Sequence, residues 1–236
     1  AGELEHMAQS WLWALAIATI VIGAIGVLAA QDLRKLTANL VLVSVGTLVA
    51  LVALQNINAT AALLYYLVHS TLVTAALFLL ADLIATQGGK AGDRLVGGRA
   101  VKQPFLLGAC FIIAGLTVIG MPPLSGFVGK IWILKTTLNS EQALVFWPVY
   151  LIMSLALIVA ISRAGTSLFW EHKDKGGEAG DVANAHPLQV IVLVGLLTSS
   201  ILLVVFGDFA TQYALETATQ LHDISGGINA VLKGGL

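Results

Sequence analysis

The sequence predicts an all-α membrane protein with six transmembrane helices, one of them discontinuous. Three observations carry this. Of the 236 residues, 58% are hydrophobic and only 11% charged, with a mean hydropathy of +0.91, whereas a soluble domain carries roughly 25% charged residues. The apolar residues gather in six runs, each near or above the ~20 residues that a helix needs to cross the hydrocarbon core. One of these runs, residues 105–138, is interrupted by Met121-Pro122-Pro123-Leu124-Ser125-Gly126. Pro122 and Pro123 lack amide donors and their rings clash with the preceding turn, so a continuous helix cannot pass through them.

Taken in order, the first span covers residues 11–30, and the acidic stretch before it (Glu3, Glu5) has no basic segment of a secretory signal. A polar turn, Gln31-Asp32-Leu33-Arg34-Lys35, leads to a second span over 36–54. The third covers 59–85 and carries His69 and Asp82. A Gly-rich loop, 86–103, holds Lys90, Arg94, Arg99 and Lys102. The interrupted run 105–138 follows, broken at 121–125, and then spans over 143–170 and 187–206. Pro187 opens the last span at its first turn, where a missing amide does no harm. Residues 207–236 form a tail whose Phe209, Tyr213, Ala214 and Leu221 fall at helical spacing. It reads as an amphipathic helix on the membrane surface or against a partner subunit.

The Arg34/Lys35 turn and the basic 86–103 loop are two crossings apart and so share a side. The positive-inside bias puts that side in the cytoplasm and both chain ends outside. The chain does not begin with methionine and is expected to be one half of something longer. The lone Cys110 gives neither a disulfide nor a metal pattern and reads as a packing residue. Gly88-Gly89-Lys90 lacks the strand context of a phosphate loop, and no nucleophile elbow is present. No cofactor, metal centre or nucleic-acid partner is expected.

Function must then lie with ionisable groups inside the spans, which are expensive there and commonly mark ion or proton paths. Lys130 is flanked by uncharged runs on both sides. Burial disfavours its charged form, which makes it a candidate proton carrier. Lys135, near the end of its segment, reads as a residue that snorkels to the interface. His69 suits a proton shuttle by its intrinsic titration range but equally suits a satisfied packing role. Asp82 and Arg163 lie near helix ends and read as snorkelling or ion-paired residues. Ser44, Ser70, Thr71 and Thr74 either line a polar seam or bond back to their own helices.

Several of these stretches resemble a known family. Asp32-Leu33-Arg34-Lys35-Leu36 leading to Val43-Ser44-Val45-Gly46, and His69-Ser70-Thr71-Leu72 with Ala76-Leu77-Phe78-Leu79, are similar to segments of the antiporter-like subunits of respiratory complex I. Gly120-Met121-Pro122-Pro123-Leu124-Ser125-Gly126-Phe127 followed by Lys130 looks like their discontinuous helix. Tyr65-Tyr66-Leu67-Val68-His69-Ser70-Thr71, Leu80-Ala81-Asp82-Leu83-Ile84 and Ser162-Arg163-Ala164-Gly165-Thr166-Ser167-Leu168-Phe169-Trp170 most resemble the D-type subunits of the multi-component Mrp (Pha) monovalent cation/proton antiporters.

The resemblance implies a fourteen-helix protein with two inverted five-helix repeats. The present chain would supply the second repeat and the last helix, and would work with the missing N-terminal half, further members of the complex and the bilayer of a bacterial inner membrane. It implies proton translocation through His69 and Lys130, coupled to Na+ or K+, without covalent chemistry. Where some complex I relatives carry a lysine one turn after the histidine, this chain has Val73. Two other readings stand beside it: an antiporter-like proton-pumping subunit of complex I, and a non-conducting scaffold. The break is expected to leave residues 122–125 non-helical, with His69 and Lys130 facing one interior seam.

Overall fold

A computed structural model describes residues 2–88, 92–96, 101–138, 140–170 and 185–223, with side chains from residue 9 onward. Among them the secondary structure is helical: α1 (Gly2–Ala29), α2 (Leu33–Ala53), α3 (Ile57–Gln87), α4 (Pro104–Ile119), α5 (Ser125–Thr137), α6 (Ala143–Gly165), α7 (Pro187–Val205) and α8 (Gly207–His222). A π-helical turn, Thr166–Trp170, extends α6. Five of the helices are long and apolar enough to span a membrane. The sixth crossing is assembled from α4 and α5, neither of which suffices alone.

Several helix ends lie a few residues from the expected span limits, and at the starts of α2 and α3 hydrogen-bond acceptors set them. α3 starts at Ile57 because the Asn56 side chain accepts from the Ala59 amide at 2.8 Å, satisfying one of the orphan donors of a helix start. α2 starts at Leu33, ahead of the expected residue 36, because Asp93 supplies the acceptors. Its backbone oxygen takes the Leu33 amide at 2.9 Å and its carboxylate the Arg34 amide at 2.8 Å.

That second contact also brings the 92–96 loop onto the α1–α2 turn, where Leu95 donates to the Gln31 carbonyl at 2.7 Å. Arg34 pairs with Asp82 at 2.6 Å, tying the start of α2 to the end of α3. Arg163 donates to the carbonyls of Leu28 and Ala30 at 2.7 and 3.1 Å, so the end of α6 meets the end of α1. The basic turn, the basic loop and the end of α6 therefore share one end of the bundle.

α3 is the hub, packed by α2, α4, α5, α7 and α8. The described part of the tail is helical, as expected. α8 follows α7 after a turn at Phe206 and packs on the first part of α3, burying Ala214 and Ala218 against Ala61, with His222 Nε2 2.9 Å from the Thr60 hydroxyl. Of the residues expected at helical spacing, Ala214 meets α3, while Phe209, Tyr213 and Leu221 are exposed. Small residues win this contact because two helices approach closely only where side chains are short. Residues 224–236 of the tail and Lys90 and Arg99 of the loop lie outside the described residues.

Candidate functional site

The site is built at the break between α4 and α5. α4 ends at Ile119, and Gly120 closes it in the left-handed region at φ 85°, its amide bonding the Leu116 carbonyl at 3.0 Å. Glycine takes that conformation without the penalty a Cβ brings. Met121, Pro122, Pro123 and Leu124 follow outside any helix. Ser125, expected in the non-helical stretch, is instead the first residue of α5. The break thus runs over residues 120–124 rather than 121–125. The reason lies in the backbone: Leu124 is extended (φ −90°, ψ 158°) and serves as the cap, so the helix begins immediately after it.

The two half-helices cross at Gly126. A Cβ there would collide with the Thr117 carbonyl oxygen, and would lie 3.1 Å from His69 Cε1 and 3.2 Å from Gly120 Cα. Gly126 is therefore the contact that lets the end of α4 and the start of α5 overlap. A Cβ on Gly120 would lie 2.9 Å from Lys130 Cδ. His69 and Lys130 thus border the same junction.

Lys130, one turn into α5, folds back across the break. Its Nζ donates to the Ile119 carbonyl, the last of α4, at 2.8 Å, and to the Ser154 hydroxyl of α6 at 3.4 Å. No carboxylate pairs with it among the described residues. The ammonium instead meets the C-terminal end of a half-helix, where orphan carbonyls and the helix dipole favour a cation.

His69, on α3, is 4% exposed. Its Nδ1 is 2.8 Å from Ser125 Oγ, and Ser125 Oγ is 2.7 Å from Ser200 Oγ of α7. The Ser125 amide also donates to Ser200 Oγ at 3.4 Å. His69 also lines a cavity of about 10 Å³, roughly the room of one water. Ser44, Tyr66, Ser70 and Thr74 line it, and Ser44 and Tyr66 hydroxyls stand 3.5 Å apart.

Of the residues named for the polar seam, Ser44, Ser70 and Thr74 come to this cavity, although Ser70 and Thr74 hydroxyls also bond carbonyls of α3. Thr71 is exposed and bonds back to the Leu67 carbonyl at 2.7 Å, but it lines an adjoining groove together with Ser44, Ser70 and Thr74. Pro122 and Pro123 are exposed at the break, joined by a cis peptide bond, and carry no side-chain partner. Lys135 is on the far part of α5, near Thr211 of α8.

Sequence reasoning missed Ser200, Ser154 and the Ile119 carbonyl. Ser200 had a weak signal, in the Thr198-Ser199-Ser200 cluster within an otherwise apolar helix. A backbone carbonyl has none.

A bundle of membrane-spanning helices that includes one broken helix, with a lysine and a histidine at the break, defines a polytopic membrane protein. Comparison with known proteins gives the particular family. Residues 3–160 match the family model described as NADH:quinone oxidoreductase/Mrp antiporter, transmembrane region, and the chain belongs to that family. It is 30% identical to a probable K+/H+ antiporter D subunit of Rhizobium meliloti, covering 94% of this chain and 45% of the relative. With the Na+/H+ antiporter D subunit of Bacillus subtilis it shares 30% identity, over 97% of this chain and 45% of that protein. Among solved structures it is similar to the Mrp complex from Dietzia sp. (TM-score 0.78, 21% identity, 95% of this chain and 49% of that one). Respiratory complex I from Thermus thermophilus gives a TM-score of 0.75 at 22% identity, over 92% and 46%. The chain spans about half the length of the relatives it matches.

Proposed function

We propose that this chain supplies half of a D-type subunit in a Mrp-type monovalent cation/proton antiporter of a bacterial cell membrane. It would act with the rest of that protein and with neighbouring members of the complex, exchanging Na+ or K+ for protons. Its own part is a proton site made of Lys130 and His69 at the broken helix. The names of the relatives, D subunits of K+/H+ and Na+/H+ antiporters, support this reading over membership of complex I.

The observation that carries the proposal is how Lys130 is held. A carbonyl and a hydroxyl receive its Nζ, and both can accept from an ammonium or from a neutral amine. A lysine locked to a carboxylate would remain charged; one held by neutral oxygens can take up and release a proton without breaking its anchorage. When charged it ties α5 to the last carbonyl of α4. When neutral it donates more weakly, so proton release loosens the junction. Protonation and the geometry of the break are thereby linked.

The test is cation/proton exchange in everted membrane vesicles carrying the complete complex. Lys130→Ala removes the site and is expected to abolish most exchange while assembly continues. Lys130→Arg keeps a charge that does not leave, since arginine titrates above ~12, and is expected to be equally inactive. Lys135→Ala is expected to stay within about twofold of wild type, as a surface charge that contributes little. Wild-type exchange by Lys130→Arg overturns proton release from this residue.

A further inference from the structure

Ser200 and Ser125 differ from almost every other hydroxyl in the bundle. A serine or threonine inside a helix by default bonds a carbonyl three or four residues back, and Thr37, Thr47, Ser70, Thr71, Thr74, Thr117 and Ser199 all do so. Ser199 takes the Leu196 carbonyl at 2.5 Å. Its neighbour Ser200, on the same helix, instead crosses to α5 and pairs with Ser125, 75 residues away in sequence, at 2.7 Å. Ser125 is fully buried and Ser200 5% exposed, so water does not substitute for these contacts.

We propose that Ser125 and Ser200 form a two-hydroxyl chain that passes the protonation state of His69 to α7, with Ser200 a positioning residue for the proton site. The inference rests on the reading of His69 as part of that site. Donor and acceptor counts define two arrangements of the same heavy atoms. When His69 Nδ1 is unprotonated it accepts from the Ser125 hydroxyl, and Ser200 donates to Ser125 Oγ. When Nδ1 carries a proton it donates to Ser125 Oγ, the Ser125 hydroxyl turns to Ser200, and Ser200 Oγ accepts from both the Ser125 amide and hydroxyl. Its own hydrogen is then released to a carbonyl of α7, the ordinary partner of a helical serine. Both arrangements satisfy the Ser125 and Ser200 hydroxyls, and they differ by the proton on Nδ1 and the rotation of two hydroxyls. Adding a proton on α3 therefore changes what Ser200 bonds on α7. Charge-assisted hydrogen bonds are the stronger kind and successive ones polarise each other, so losing Ser200 weakens the hydrogen bond made by a proton on Nδ1.

The titratable groups around His69 are Lys130 from α5, Tyr66 on its own helix and, next to Tyr66, Tyr150 from α6. From α2, α4 and α7 the neighbours are Ser44, Val118 and Ser200, which carry no charge.

The experiment is the pH profile of cation/proton exchange by the full complex in everted vesicles. Ser200→Ala is expected to lower the rate about fivefold, the worth of one neutral hydrogen bond, and to move the acid-side limb down by about 0.7 pH unit, the same free energy. Ser200→Thr keeps the hydroxyl and should restore the profile, while Ser199→Ala, whose hydroxyl serves only its own helix, leaves it unchanged. A purely structural role for Ser200 would scale the rate equally at every pH, and that result overturns the proposal. So does a wild-type rate and profile for Ser200→Ala. If His69→Ala also exchanges normally, the proton-site reading has failed; if His69→Ala is inactive and Ser200→Ala is normal, only the hydroxyl chain has.

Discussion

Gly126→Ala is the sharpest test of the broken-helix geometry, because the added carbon meets backbone rather than a side chain that could turn away. The new Cβ would collide with the Thr117 carbonyl and approach Gly120 Cα to 3.2 Å and His69 Cε1 to 3.1 Å. Relief requires α4 and α5 to separate. Separation in turn stretches the Lys130 bond to Ile119, now 2.8 Å, and the His69 bond to Ser125, also 2.8 Å. Overpacking typically costs about 1–3 kcal/mol and loss of a charged hydrogen bond adds to it, giving a destabilisation on the order of 3 kcal/mol. Gly195→Ala on α7 is the control, since nothing lies within 4 Å of its Cβ and its effect should stay within about 1 kcal/mol. The assay is thermal unfolding of the detergent-solubilised complex by intrinsic fluorescence, with exchange in vesicles measured in parallel. Gly126→Ala should unfold several degrees lower and exchange poorly. If it melts and exchanges as wild type, the half-helices do not overlap as described.

Arg163→Ala removes both side-chain donors from the Leu28 and Ala30 carbonyls and should cost about 1 kcal/mol, the lower end for a charged donor because this one is exposed; the melting point reports it, and exchange should persist. Tyr150→Phe deletes a buried hydroxyl with no partner, so stability should hold or rise by up to about 1 kcal/mol in the same melt. Loss of exchange in Tyr150→Phe would instead put that hydroxyl on the proton path.

The spans are legible in the sequence because length and apolarity are the membrane's own requirements, and the break because two prolines exclude a helix whatever surrounds them. Lys130 and His69 stand out because a titratable group in an apolar run is costly. Orientation about the helix axis is not legible. A membrane helix is apolar on both its lipid and its protein face, so the periodicity that marks the inner face of a soluble helix is absent. That is why the sequence does not tell that Thr71 is exposed while Ser70 is buried, or that Ala214 of α8 meets α3 while Phe209 and Tyr213 are exposed. The helix start at Leu33 depends on Asp93, and the hydroxyl pair on Ser200. Both partners are distant in sequence, and nothing local says what they pair with.

The backbone itself explains why the two ionisable groups of the site are not equivalent. Breaking one helix into two exposes a carbonyl end on α4 and an amide end on α5, with opposite partial charges. Lys130 belongs to α5 but bridges to the carbonyl end of α4, so its positive charge is stabilised without an acidic residue. His69 faces the amide end through Ser125, where the helix dipole opposes a cation. The Ser125–Ser200 pair supplies acceptors there that the backbone does not. A continuous helix would offer neither pole at this depth, and an acid beside Lys130 would remove the difference between them. The double proline and the lysine one turn into α5 are thus parts of one device: the first creates the poles, and the second occupies one of them.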